Sequence, residues 1–215
     1  MLSKTQYSRC VSTALLYCGT SEGFVIGTDS RSFNELTRKV ESDDERKIFA
    51  FKNNSVSLVF AWAGVIKAGT EELSISLIDE TNSILSDVDF RMFDESFNKL
   101  LQDRLSILKV NTIGKCATGV FLYFWKGAAM ATELCVFKNG RCWDSRIIGS
   151  SAPNGEIDLV NGGVQPALFD KPISLNQAKN MIEDYIKECI ADPSEEKIGG
   201  KVQIGRLTAE SFDFA

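Results

Sequence analysis

Short turns set between adjacent β-rich apolar runs constrain this chain more than any other feature. Thr13 to Gly19 (TALLYCG) and Gly23 to Asp29 (GFVIGTD) are joined by Thr20-Ser21-Glu22, which is hairpin spacing. Lys47 to Lys52 (KIFAFK) and Val56 to Trp62 (VSLVFAW) flank a second turn at Asn53-Asn54. Further runs at Ala117–Trp125, Ala128–Phe137 and Arg141–Ile148 are separated by Lys126-Gly127 and Asn139-Gly140, and Asn-Gly is a strong hairpin signal. Strands that return on themselves through such turns pair antiparallel.

Helical spacing appears between these blocks. Gly64 to about Asp87 reads as a helix, with Leu73, Leu77, Ile78, Ile84 and Leu85 on one face. Phe93 to Val110 reads as a second, with Phe97, Leu101, Leu105 and Leu108 as its stripe and Asp94 placed to cap it. A third begins at Ser174, where Ser174-Leu175-Asn176-Gln177 has the form of a capping box; its stripe is Ala178, Ile182, Tyr185, Ile186 and Cys189. Lys201 to Thr208 is a last strand. Ser32 to Arg46, with Glu41, Asp43, Asp44 and Glu45, reads as a solvated acidic loop. Blocks of strands and helices, rather than strict alternation, argue against a parallel βαβ fold and for an α+β fold of antiparallel sheets covered by helices.

A length of 215 residues with 44% apolar and 25% charged residues suits one layered globular domain, and no Pro/Gly/Ser-rich linker or internal repeat divides it. No apolar run approaches the ~18 residues of a membrane-spanning helix, so no membrane partner is expected. A net charge of −5 without a basic cluster argues against nucleic acid as a partner. The first residues lack the layout of a secretory leader, so a cytoplasmic location is the default expectation. Cys10, Cys18, Cys116, Cys135, Cys142 and Cys189 contain no Cys-x-x-Cys pair and read as reduced, mostly buried thiols; neither metal nor cofactor is expected. Trp62, Trp125 and Trp143 read as core.

The chain contains no histidine. Ser-His-Asp and Cys-His nucleophile systems are thereby excluded, and a catalytic base must come from Lys, a carboxylate, Tyr or a terminal amine. One chemistry satisfies that limit. A Thr, Ser or Cys that becomes the first residue of a processed chain carries its own base, an α-amine with a reference pKa of about 7.7. It is helped by a Lys beside the hydroxyl and an Asp that holds the Lys. Thr13 begins the first strand, Asp29 ends the second and Lys47 begins the third. Each has a plainer reading alone: a strand-favouring Thr, a turn Asp, an edge Lys. Cys10 and Ser12 compete as nucleophiles but lie at other spacings from Asp29.

Thr13-Ala-Leu-Leu, Gly23-Phe-Val-Ile-Gly-Thr-Asp29-Ser30-Arg31, Arg46-Lys47-Ile48, Ala63-Gly64, Gly149-Ser150-Ser151 and Gly199-Gly200-Lys201-Val202 follow one another in an order that resembles proteasome β-type subunits. The resemblance spans nearly the whole chain. It implies the four-layer αββα sandwich of N-terminal nucleophile hydrolases, two antiparallel sheets flanked by helices. Residues 1–12 would then be a propeptide removed by the chain itself, and 13–215 the single domain. Thr13 would match the nucleophile, Asp29 and Lys47 its charged partners, Ser150 a supporting hydroxyl, and the Gly64 N–H an oxyanion donor. Glu195 would match a late acidic residue that the family carries as Asp. The implied reaction is hydrolysis of peptide bonds in peptides or unfolded proteins, inside a homo-oligomeric ring served by an ATPase or cap partner. Ser12 stands where the family has Gly, Ile198 where it has Ser, and Ser151 where it commonly has Gly. These departures motivate an alternative, an unprocessed and inactive ring-forming structural subunit. A third reading is an amidase of the same fold without a ring.

Overall fold

In the computed structural model, residues 13–34, 37–64, 67–69, 74–107, 117–136, 142–148, 157–160 and 173–214 are described. The first hairpin is β1 (Leu15–Thr20) and β2 (Gly23–Asp29), in register from Leu15↔Thr28 to Thr20↔Gly23. Gly23 has φ +148°, and a Cβ there would lie 2.1 Å from the Leu207 carbonyl oxygen, so the turn admits only glycine. Two small strands, β3 (Ser32–Asn34) and β4 (Lys39–Ser42), pair with each other. The acidic segment is therefore not all loop. Glu41 accepts hydrogen bonds from Asn34 Nδ2 at 2.7 Å and Ser32 Oγ at 3.4 Å, and Arg38 makes the return at φ 54°.

Next come β5 (Ile48–Lys52) and β6 (Val56–Gly64), paired around the Asn53 turn. The expected helix from Gly64 to Asp87 is only partly present. Lys67–Gly69 (β7) and Ser74–Ser76 (β8) pair as strands, and α1 is confined to Leu77–Ile84. Ser76 explains the late start: its side chain accepts from the Asp79 N–H, an N-cap that places everything before it outside the helix. α2 runs Phe93–Ile107 behind a 3₁₀ turn, Phe90–Met92. The turn is capped by Asp89, whose side chain accepts from the Arg91 N–H, so Asp94 lies inside the first helical turn instead of capping it.

β9 (Ala117–Trp125), β10 (Ala128–Val136) and β11 (Cys142–Ile148) follow as expected. Lys126 and Gly127 both adopt positive φ, 50° and 81°, the backbone that a two-residue hairpin needs to follow strand twist. The Asn139-Gly140 turn lies outside the described residues. The remaining elements are β12 (Ile157–Val160), α3 (Leu175–Ala191), β13 (Val202–Leu207) and β14 (Phe212–Phe214). The capping box at Ser174 and Gln177 is formed in both directions.

The strands make two five-stranded antiparallel sheets, ordered β12-β1-β2-β13-β14 and β11-β10-β9-β6-β5. Alternation along each strand sorts side chains into three cores. Leu15, Tyr17, Phe24 and Ile26 of the first sheet meet Val59, Ala61, Val120 and Leu122 of the second. Leu16, Cys18 and Val25 point the other way, onto Ala178, Ile182 and Ile186 of α3. Phe60, Trp62 and Phe121 face outward onto Leu77, Ile84, Phe93, Phe97 and Leu101 of α1 and α2. β2 is buried on both faces, which explains why Phe24, Val25 and Ile26 form an unbroken apolar run instead of alternating with polar residues. The molecule is thus α+β, with mixed helices and antiparallel sheets. No helix among the described residues is long and apolar enough to cross a membrane.

Candidate functional site

Asp29 closes β2 with its side chain fully buried, and a buried carboxylate needs every lone pair occupied. Four donors meet it. Oδ1 accepts from the Ala14 N–H at 3.0 Å and from Lys47 Nζ at 3.1 Å. Oδ2 accepts from the N–H groups of Arg31 and Gly199, each at 3.1 Å. Asp29 therefore ties together the start of β1, the start of β5 and the approach to β13.

Lys47 stands one residue before β5, 3% exposed, with Nζ donating to both Asp29 Oδ1 and Thr13 Oγ1, the latter at 3.2 Å. Burial pulls its pKa below the ordinary lysine value; the neighbouring Asp29 charge opposes that shift without cancelling it. Thr13 is itself 3% exposed, and its neighbour Ala14 exchanges bonds with Asp29 through both N–H and carbonyl. A hydroxyl, an amine of depressed basicity and a carboxylate thus lie in one hydrogen-bonded chain. In its neutral form the amine can take the hydroxyl proton; in its charged form it is held by the carboxylate.

Gly64 ends β6, the strand next to β5, at φ +91°, a backbone that side-chain-bearing residues rarely adopt. Glu195 lies half-buried in the turn after α3, where its carbonyl accepts from the Ile198 N–H. Ile198 is 5% exposed and packs into the core under α3. Ser150, Ser12 and Ser151 lie outside the described residues. Among the described residues, no group of three or more Cys, Asp or Glu side chains is placed to hold a metal.

Sequence reasoning missed the bracket that surrounds this site. Ser30 Oγ donates to the Asp43 carbonyl at 2.5 Å and accepts from the Lys201 N–H at 2.7 Å. Arg31 pairs with Asp43 at 2.6 Å and donates to the Glu196 carbonyl at 2.9 Å. A Cβ on Gly199 would lie 2.3 Å from Arg31 Cζ, and one on Gly200, at φ +75°, would lie 2.3 Å from the Asp43 carbonyl. The Asp-Ser-Arg and Gly-Gly motifs are two halves of one clasp, and their joint presence was the available signal. Gln203 carried none: its amide accepts from the Lys47 N–H at 3.0 Å and donates to the Glu45 carbonyl at 2.6 Å.

No family model and no curated protein matches the chain by sequence. Solved structures do share its fold. A mutant form of Anbu from Hyphomicrobium sp. strain MC1 superposes with a TM-score of 0.63 at 13% identity, over 94% of this chain and 84% of that one. Another Anbu structure from the same strain gives 0.59 at 10% identity, again over 94% and 84%. Anbu (ancestral beta-subunit) from Yersinia bercovieri gives 0.57 at 11%, over 93% and 86%. At such identities the likeness is one of fold. It corrects the resemblance read from the motifs: the structural neighbours are Anbu proteins, and the chain has a proteasome-related fold similar to that of the ancestral β-subunit, not one recognised as a proteasome β-type subunit.

Proposed function

We propose that this protein is a threonine-type amide hydrolase that cleaves peptide bonds with Thr13 as an N-terminal nucleophile. The observation that carries the reading is the buried Thr13–Lys47–Asp29 chain, with contacts of 3.2 and 3.1 Å, in a protein without histidine. Removal of residues 1–12 frees the α-amine of Thr13. That amine takes the Oγ proton as Oγ attacks the substrate carbonyl carbon. The C–N bond then breaks, the proton leaves with the departing amine, and the acyl group stays on Oγ as an ester. Water, deprotonated by the same amine, hydrolyses the ester and restores Thr13. During self-cleavage the Thr13 nitrogen is still acylated and cannot serve as base. Lys47, with its depressed basicity, is the group beside Oγ that can.

In this reading Gly64 supplies the oxyanion N–H, Ser150 a supporting hydroxyl and Glu195 a peripheral carboxylate. Residues 13–215 form one domain, and the three cores support a four-layer αββα stack. The substrates are peptides or unfolded proteins, entering a homo-oligomeric ring through a cap or ATPase partner in the cytoplasm. A second reading, an uncleaved structural subunit, is favoured by Ile198 filling the α3 core. The intact mass of the purified protein separates the two. Loss of residues 1–12, abolished together with peptide turnover in Thr13→Ala, is the expected result. A full-length 23.8 kDa chain that never turns over peptide, even after assembly, would leave the structural reading.

A further inference from the structure

Lys47 precedes β5, whose ladder to β6 begins only at Ile48↔Ala61, so among the described residues no strand supplies a partner for the Lys47 N–H. A buried N–H needs one. It is met from the other sheet by the side chain of Gln203 on β13, which accepts from the Lys47 N–H at 3.0 Å while donating to the Glu45 carbonyl at 2.6 Å. One acceptor and one donor offered to residues two apart is how a residue on an adjacent strand bonds its neighbour. The Gln203 amide therefore stands in for a strand that is absent, and it spans the two sheets at the point where Lys47 enters the site.

We propose that Gln203 is a positioning residue: it fixes the backbone of residues 45–47 so that Lys47 Nζ reaches Asp29 and Thr13 together. The inference deepens the hydrolase reading and rests on it for its consequence in turnover, but the placement of Lys47 can be measured without any turnover. The charged groups that act on Lys47 are Asp29, Glu45 and Arg31, the last already paired with Asp43. Releasing residues 45–47 lets water reach Nζ and loosens its burial, which moves its titration up toward the lysine reference of 10.5.

The test follows the Lys47 side-chain resonance of ¹³C-labelled full-length protein through a pH titration, with Lys47→Arg assigning the signal. Gln203→Met, near in size and without the amide, is expected to raise the Lys47 midpoint and to lower kcat by about 10²-fold with KM little changed, the scale of an ångström misplacement at a reacting group. Gln203→Glu keeps the acceptor for the Lys47 N–H and is expected to retain more turnover than Gln203→Met. Thr28→Val is the control: Thr28 is the register partner of Gln203, fully buried, and among the described residues its hydroxyl has no hydrogen-bond partner, so its loss should leave the Lys47 midpoint in place. A Lys47 midpoint unchanged in Gln203→Met overturns the proposal, as does, in a wild type that turns over peptide, a Gln203→Glu variant no better than Gln203→Met. A wild-type protein without turnover but with the midpoint moved by Gln203→Met would count against the hydrolase reading and leave the positioning role intact.

Discussion

Asp29 gathers four donors around one carboxylate and keeps none of its oxygens in contact with water, so replacing it strands a buried cation and three backbone N–H groups at once. Asp29→Ala is expected to cost about 3–5 kcal/mol in urea unfolding, the range for breaking a buried pair from one side. A loss below about 1 kcal/mol would mean that water enters and replaces the carboxylate. Cys18 gives the pH dependence. Burial pushes its thiol from 9.0 up to about 12, so across that interval the native state holds a proton the unfolded chain has lost. Stability from this group is therefore intact below pH 9.0 and declines toward about 12. Lys47 has the opposite sign, its lowered value making stability rise with pH up to 10.5. The unfolding free energy of Cys18→Ala, measured against wild type from neutral to alkaline pH, should show a gap that changes only above pH 9.0. That Thr13, Asp29 and Lys47 lie together was legible in the sequence because their order and spacing are local to two hairpins. Gly199 was legible only as part of a motif and Gln203 not at all, because a partner more than 150 residues away leaves no trace in spacing.

α3 lies across β1 and β2, and its seat is cut to the ångström. A Cβ on Gly27 would stand 2.2 Å from Ile182 Cγ2 and 2.9 Å from Ile204 Cδ1. Gly27→Ala is expected to destabilise by about 1–3 kcal/mol through overpacking, and Ile204→Val in the same chain, which removes the Cδ1 at 2.9 Å, should recover part of that loss. Equal losses in the single and double variants would show that the helix shifts as a body. Removing the cap with Ser174→Ala should cost about 1 kcal/mol, read as a lower urea midpoint at unchanged slope. α3 was readable down to its first residue because the capping box and the apolar stripe agree. The stretch after Gly64 was misread because Leu73, Leu77 and Ile84 fit a helical period while the Ser76 cap, a single side chain, decides where that period begins. β12 and β14 are four and three residues long, too short for alternation to identify.

At the scale of the whole molecule, both sheets end in open strands on the same side, β14 in one and β5 in the other, with Arg46 reaching the Phe214 ring at 4.9 Å and the Phe49 ring at 5.3 Å. Size-exclusion mass of wild type against Phe214→Lys tests whether that side joins copies: a fall in mass places the contact there, and an unchanged assembly removes it. Strand order has a consequence for how the protein is made. β13 occupies the place beside β2 in the first sheet, and Gly199 and Gln203 complete the surroundings of Asp29 and Lys47, yet Gly199 is made 170 residues after Asp29 and Gln203 156 residues after Lys47. The first hairpin waits for its neighbour while the intervening strands and helices are made. Whatever chemistry Thr13 performs is thereby postponed until residues 199–203 are made, and a chain terminated before them is left without the clasp that would arm it.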